Sequence, residues 1–363
     1  MPTERATTLR DRDQADERRL SGEWLTRGKD GLLTAYAPAD GALLRWTETP
    51  SGWSGPDRLD APGLMPVLTV AQGADGYAHL IGLRRTGTDA EGERELELVH
   101  AVQFQTGRPL LGWHALGHPN KVRRWTGDPV AAVDGEGRVC VFLRNGGNGV
   151  SCRVQGVRGG WGGWQDLGGR GTGEALAVAT DGEGLVELFV PGRNQITRYT
   201  QEKPGAAFAP ADRLDVQAAP GGAFSAITTV SGTVSLFYTD GDGVIQVWAP
   251  GRLPEPRPLM DAAGPGPLAL SRLVIDGHDC TVLAQEADQG QVAFAAYPTE
   301  DESAGGWWTR TATTGAGHLP LAVQEHGGHG LVAMALTRDG SPIVSRQKTE
   351  AGGFALGSWK PLR

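Results

Sequence analysis

One unit recurs seven times along the chain, with a period of roughly 45 to 50 residues. Each copy opens with an apolar run that ends in a glycine-containing turn and continues into a second apolar run. Pro129-Val-Ala-Ala-Val-Asp-Gly-Glu-Gly137 leads into Arg138-Val-Cys-Val-Phe-Leu143, and Leu176-Ala-Val-Ala-Thr-Asp-Gly-Glu-Gly184 into Leu185-Val-Glu-Leu-Phe-Val190. The same pattern stands at 25–36, 67–83, 226–238, 273–283 and 321–336, with Asp-Gly, Gly-Gly or Ser-Gly at the turn. Such dipeptides supply the positive φ that a tight hairpin requires. A third run follows, as in Gly243-Val-Ile-Gln-Val-Trp248 or Ala42-Leu-Leu-Arg-Trp46. A more polar fourth segment closes several copies with tryptophan: Trp53, Trp113, Trp161 with Trp164, Trp307 with Trp308, and Trp359.

Four short strands per copy, apolar on both faces except at the outer edge, describe a sheet sandwiched between two others. Such sheets arranged in a ring form a β-propeller. The pattern predicts an all-β, seven-bladed propeller of four-stranded antiparallel blades over 22–363, preceded by a charged tail over 1–21. The 55 glycines suit many tight turns. The tryptophans, set at or near the outer strand, are expected to pack between blades.

The best-preserved copy carries a more specific resemblance. Its run Asp128-Pro-Val-Ala-Ala-Val-Asp-Gly-Glu-Gly-Arg-Val-Cys-Val-Phe-Leu-Arg144, then Gln155, then Gly160-Trp-Gly-Gly-Trp-Gln-Asp-Leu-Gly-Gly169, resembles the repeat of the bacterial seven-bladed propeller lectins related to the Photorhabdus lectin and, more distantly, of the tectonins. Blades 4 and 5 lack the closing Trp pair, blade 6 lacks the Phe, and blade 7 keeps one late Trp. The resemblance implies the propeller fold and, loosely, sugar binding. Family sugar sites depend on side chains repeated blade by blade, and these are not repeated here.

Charge narrows the partners. A net charge of -8 without a broad basic stripe argues against nucleic acid. No stretch approaches the roughly 20 apolar residues of a membrane helix. The start of the chain carries charges where a secretory signal has its apolar segment, which predicts a cytoplasmic protein. Three cysteines do not make a disulfide scaffold. Cys140 and Cys152, symmetric about the turn 144–149, are read either as reduced thiols in the core or as a cross-hairpin disulfide.

Two candidate sites follow from the repeat. In a four-stranded blade, the turn between strands two and three opens on the same end as the link to the next blade. Both such segments are long in blade 2: the loop 84–95, beginning with Arg84, and the loop 117–128. The second gathers His118, Asn120, Lys121, Arg123, Arg124 and Trp125, a set suited to an anionic group beside a flat one. The starts of the first strands place Asp128, Glu174, Ser225 and Arg272 at the channel mouth.

No zinc-protease, Cys-x-x-Cys, calcium-loop, nucleophile-elbow, phosphate-loop or dinucleotide pattern occurs, nor the aspartate box of sialidase propellers, so no cofactor or metal is expected. Asp240-Gly-Asp-Gly243 reads as a hairpin turn, and His318, His326 and His329 lack a matching acidic ligand. Two functions remain. One is a lectin-like propeller binding a carbohydrate or a small anionic or aromatic molecule on one face of the channel. The other is a cofactor-independent enzyme of bacterial specialised metabolism, with Glu174 or Asp128 as base and Arg272 or Arg124 facing a developing oxyanion.

Overall fold

The computed structural model describes residues 18–88, 94–121, 127–312, 320–327, 330–350 and 352–362. Seven antiparallel sheets, each in simple up-and-down order, form a seven-bladed β-propeller. The blades span 25–60, 64–117, 130–168, 177–214, 224–261, 269–310 and 321–361. No helix among the described residues is long and apolar enough to cross a membrane.

The repeat pattern maps directly onto burial. In blade 4 the second strand, Val186–Pro191, is buried along its whole length because both faces meet neighbouring blades. The outermost strand of blade 1, Gly52–Asp60, is mostly exposed and accordingly polar. The Asp-Gly-x-Gly turns have a common mechanism. Asp134 Oδ1 accepts from the N–H groups of Glu136 and Arg138, and Asp181 Oδ1 from those of Glu183 and Leu185. The last glycine takes the left-handed conformation, with φ of +79° at Gly137 and +82° at Gly184. These turns also join blades: Gly135 N–H donates to Gly184 O and Gly182 N–H to Gly232 O. Asp240 caps its own hairpin in the same way, through the N–H groups of Asp242 and Val244.

The tryptophans act between blades. Trp164 Nε1 donates to Leu116 O, Trp308 Nε1 to Asp261 O and Trp359 Nε1 to Thr311 Oγ1, each reaching the outer part of the preceding blade. Trp308→Phe removes the 2.7 Å bond while keeping most of the apolar contact, and is expected to lower stability by about 1 kcal/mol in urea titration. Trp307→Phe is the control: Trp307 is 76% exposed and should register no change beyond about 0.5 kcal/mol.

Three local features differ from, or add to, the sequence expectations. The segment 84–95, expected as a loop, extends a hairpin: its strands Ala78–Thr88 and Arg94–Gln103 stay paired out to Thr88 and Arg94. A cross-strand ion pair, Arg84 to Glu97, supports the polar extension. Cys140 is opposite Val154 and Cys152 opposite Phe142, so the thiols lie diagonally, and both are free. Burial pushes the Cys152 thiol up to about 12 and raises Cys140 as well, leaving both unreactive.

The third feature is a strand, Arg19–Gly22, that pairs in parallel with the innermost strand of blade 2, Leu64–Gln72. It lies on the channel side of that blade, and the 21/22 boundary read from the sequence falls within it. The chain then continues into Leu25–Arg27, the innermost strand of blade 1.

Blades 1 and 7 are each built from consecutive strands, so among the described residues no strand is shared across the seam that closes the ring. Side chains close it instead. Trp24 Nε1 donates to Leu321 O, and Arg27 pairs with Glu325 at 2.6 Å. Glu48, almost fully buried, accepts from Leu33 N–H and meets His326 Nε2 at 3.0 Å and Arg346 Nη2 at 2.7 Å.

Candidate functional site

The structure disperses the residues singled out from the sequence. Asp128 is paired with Arg19 of the channel strand at 2.8 Å. Glu174 is exposed and lies 3.5 Å from Arg144. Ser225 donates to Leu268 O. Arg272 sits within the strand Ala269–Ile275, gripped by both oxygens of Asp279. In the second loop, Asn120 Oδ1 accepts from Gly146 N–H of the next blade, tying His118, Pro119 and Asn120 toward blade 3, while Lys121 is exposed. Arg123, Arg124 and Trp125 lie outside the described residues, as do His318 and His329. His326, the remaining member of that histidine set, contacts Glu48.

A different site emerges when the seven gaps between blades are compared. On the face each blade turns toward the next, one side chain of strand two lies diagonally beside one of strand three. From blade 1 to blade 7 the pairs are Thr34 with Arg45, His79 with His100, Cys140 with Cys152, Glu187 with Arg198, Ser235 with Val247, Cys280 with Ala296, and Val332 with Val344. The position is the same and the chemistry differs in every blade.

In six of the gaps, the later blade supplies an aromatic side chain from the connection after its third strand or from its fourth strand. Trp113 packs on the core shared with blade 1, and Trp53 on the core shared with blade 7. Trp161 stands edge-on to His100 with ring centres 5.2 Å apart. Phe208 meets Phe142 at 4.9 Å. Trp308 packs into the core between blades 5 and 6, and Phe354 with Trp359 against Phe294.

Blade 5 has no such residue. Its third and fourth strands, Val244–Ala249 and Leu253–Asp261, are joined only by Pro250, Gly251 and Arg252. Trp248 fills the depth of the gap against Phe189, with ring centres 5.8 Å apart. Beyond it the gap between blades 4 and 5 stays open as a cavity of about 350 Å³. Its walls are Asp181, Gly182, Glu183, Glu187 and Arg198 from blade 4, and Ser231, Gly232, Thr233, Val234, Pro250 and Gly251 from blade 5.

Arg198 organises this cavity. Its Nη1 lies 2.8 Å from Glu187 Oε1, and its Nε and Nη2 lie 2.8 and 2.7 Å from Asp212 Oδ2. Three of the five guanidinium N–H groups are thus held by carboxylates, which fixes the plane and leaves two donors without an acceptor among the described residues. Burial raises the Glu187 carboxyl, assisted by Asp181 and Asp212 and opposed by Arg198. Burial alone would lower Arg198, but Glu187 and Asp212 outweigh it and hold the guanidinium firmly charged. Fixed donors and carboxylate acceptors line the blade 4 wall, and the Ser231 and Thr233 hydroxyls line the blade 5 wall beside the small apolar surface of Val234 and Pro250. That combination matches a polyhydroxylated ring of modest size. No three acidic, histidine or cysteine side chains group as a metal site among the described residues.

Sequence reading missed Glu187 and Arg198 because one alternates with core residues in a buried strand and the other sits in an unremarkable Thr-Arg-Tyr run. The available signal was negative: the missing aromatic closure and the three-residue Pro250-Gly251-Arg252 connection of blade 5.

No protein-family model matches the sequence, and no curated protein does. Solved structures share the architecture. The BP39L lectin of Burkholderia pseudomallei aligns over 93% of this chain and 97% of its own, with a TM-score of 0.69 and 16% identity. A polysaccharide lyase, the PL25 ulvan lyase bound to -[GlcA(1-4)Rha3S]-, covers 95% of this chain and 96% of its own at a TM-score of 0.57 and 10% identity. The lectin of Aleuria aurantia in complex with Fucα1-6GlcNAc covers 83% of this chain and 97% of its own, at 0.50 and 14%. Likeness at these identities establishes the propeller fold.

Proposed function

We propose that this chain is a carbohydrate-binding propeller with its principal sugar site in the cavity between blades 4 and 5. The observation that carries the reading is the unplugged gap: six gaps receive an aromatic from the later blade's outer part, and the seventh holds a rigid Glu187–Arg198–Asp212 network facing open space. Two structural neighbours that are lectins, and a third that acts on a polysaccharide, lend support, as does the blade 3 resemblance to the Photorhabdus-type lectins. A single site of this kind differs from the repeated sites of a multivalent lectin, because no other blade carries Glu and Arg at the paired positions.

Two substitutions test the assignment. Gly251→Trp restores an aromatic plug from blade 5: a Cβ at Gly251 meets only Thr233 Cγ2, at 3.9 Å, and the backbone there is not left-handed. Arg198→Lys keeps the charge but loses the fork that grips vicinal hydroxyls. Wild-type protein should bind a glycan on an array. Gly251→Trp should abolish that signal without lowering the melting temperature, and Arg198→Lys should weaken it by roughly 30- to 100-fold, the equivalent of two or three hydrogen bonds. Undiminished binding by Gly251→Trp would place the sugar elsewhere.

A further inference from the structure

We infer that the cavity between blades 4 and 5 selects for sugars bearing an amino group and rejects uronic and sulfated sugars. The inference rests on the sugar-site reading above and deepens it. Among the lining residues Arg198 is the one cation, and it stands between Glu187 and Asp212, so its charge is met on both sides before any ligand arrives. Asp181 and Glu183 remain on the rim. The Asp181 carboxylate is held in place by the N–H groups of Glu183 and Leu185, and Glu183 is exposed beside it. The turn that carries both is pinned to blade 5 by the bond from Gly182 N–H to Gly232 O, which keeps the two carboxylates at the cavity edge.

An acidic sugar would meet these carboxylates as like charges with no unpaired cation to offset them, whereas an ammonium group gains from both. The opposing wall adds no positive charge: Ser231, Thr233, Val234, Pro250 and Gly251 are neutral. The two spare N–H donors of Arg198 are then left for ring hydroxyls, and the rim carboxylates for the amino group.

The test is an array carrying amino, N-acetylamino and uronic acid forms of gluco, galacto and manno sugars, probed at pH 6 and low salt with wild type, Gly251→Trp, and the double variant Asp181→Asn with Glu183→Gln. Asparagine retains the oxygen that caps the turn, so the double variant keeps the local fold. The expected result is an amino form bound at least tenfold more tightly than its N-acetyl counterpart, no uronic acid bound, and loss of both signals in Gly251→Trp. In the double variant the preference should fall to within about twofold while N-acetyl binding persists. N-acetyl or uronic forms bound as well as the amino form through a site that Gly251→Trp blocks would overturn the charge selectivity and leave the sugar site standing. An amino signal that survives in Gly251→Trp would also overturn it, as attraction to the acidic surface at large. Absence of any sugar signal in wild type would overturn both.

Discussion

Lowering the pH from 7.5 to 5 is expected to remove about 4 kcal/mol of folding stability through two side chains, His79 and His100. They occupy the paired position of blade 2, each 5% exposed, with Nδ1 of His79 3.1 Å from Nε2 of His100 and Trp161 closing the gap from blade 3. Burial pushes His79 down to about 4, against a weak opposing pull from Asp75. Burial, reinforced by His79 and His114, pushes His100 down to about 3. Both are therefore neutral in the folded protein at pH 5, while the unfolded chain, titrating near 6.5, has taken up both protons. Stability is full above pH 6.5 and falls as pH drops toward the folded values, because the unfolded state binds more protons throughout that window. Each histidine contributes about 2 kcal/mol of the loss at pH 5. Urea titrations at the two pH values should show the drop, and the double variant His79→Leu with His100→Leu, which leaves neither ring without its partner, should lose most of it. Parallel pH profiles for wild type and variant would contradict the assignment.

Glu48→Ala is expected to destabilise the protein by about 2 to 3 kcal/mol. Its carboxylate is 7% exposed and takes backbone Leu33 N–H from its own blade together with His326 and Arg346 from blade 7. Removing it strands several donors at a seam that has no shared strand among the described residues to hold it. The loss should be cooperative, since opening one seam exposes the apolar faces of two blades that pack into one core. Asp215→Ala is the contrast: its pair with Arg213 spans 2.9 Å, but the two side chains are 79% and 63% exposed, so the change should be within about 1 kcal/mol. Urea midpoints for the two variants decide the matter, and equal effects would mean that the Glu48 network adds nothing to the blade 1 to blade 7 seam.

Much of the architecture was legible because a propeller writes its core into the sequence as a repeat. Leu176 to Val190 reads as two apolar strands joined by an Asp-Gly turn, and that is how it folds. The tryptophans read as packing residues, and Trp164, Trp308 and Trp359 all reach the preceding blade. Features set by a partner distant in the chain were not legible. Arg19–Gly22 becomes a strand only because the inner edge of blade 2 offers it a ladder, and nothing in Arg-Leu-Ser-Gly announces that edge. The polar run after Arg84 resembles a loop until Glu97 is seen opposite it. The partners of the charged residues at the channel mouth were not legible either: Asp128 faces Arg19 and Arg272 faces Asp279. The candidate sugar site was hardest to read, since it arises from what blade 5 omits, and an omission becomes visible only when seven gaps are laid over one another.

The measurement that bears most directly on the central claim is a crystal structure of the protein with the sugar its array selects. Density is expected in the gap between blades 4 and 5, with ring hydroxyls on the remaining N–H groups of Arg198 and contacts to Ser231 or Thr233 across the cavity. Density repeated in several gaps, or seated at the channel mouth beside Asp128 and Arg272, would contradict it.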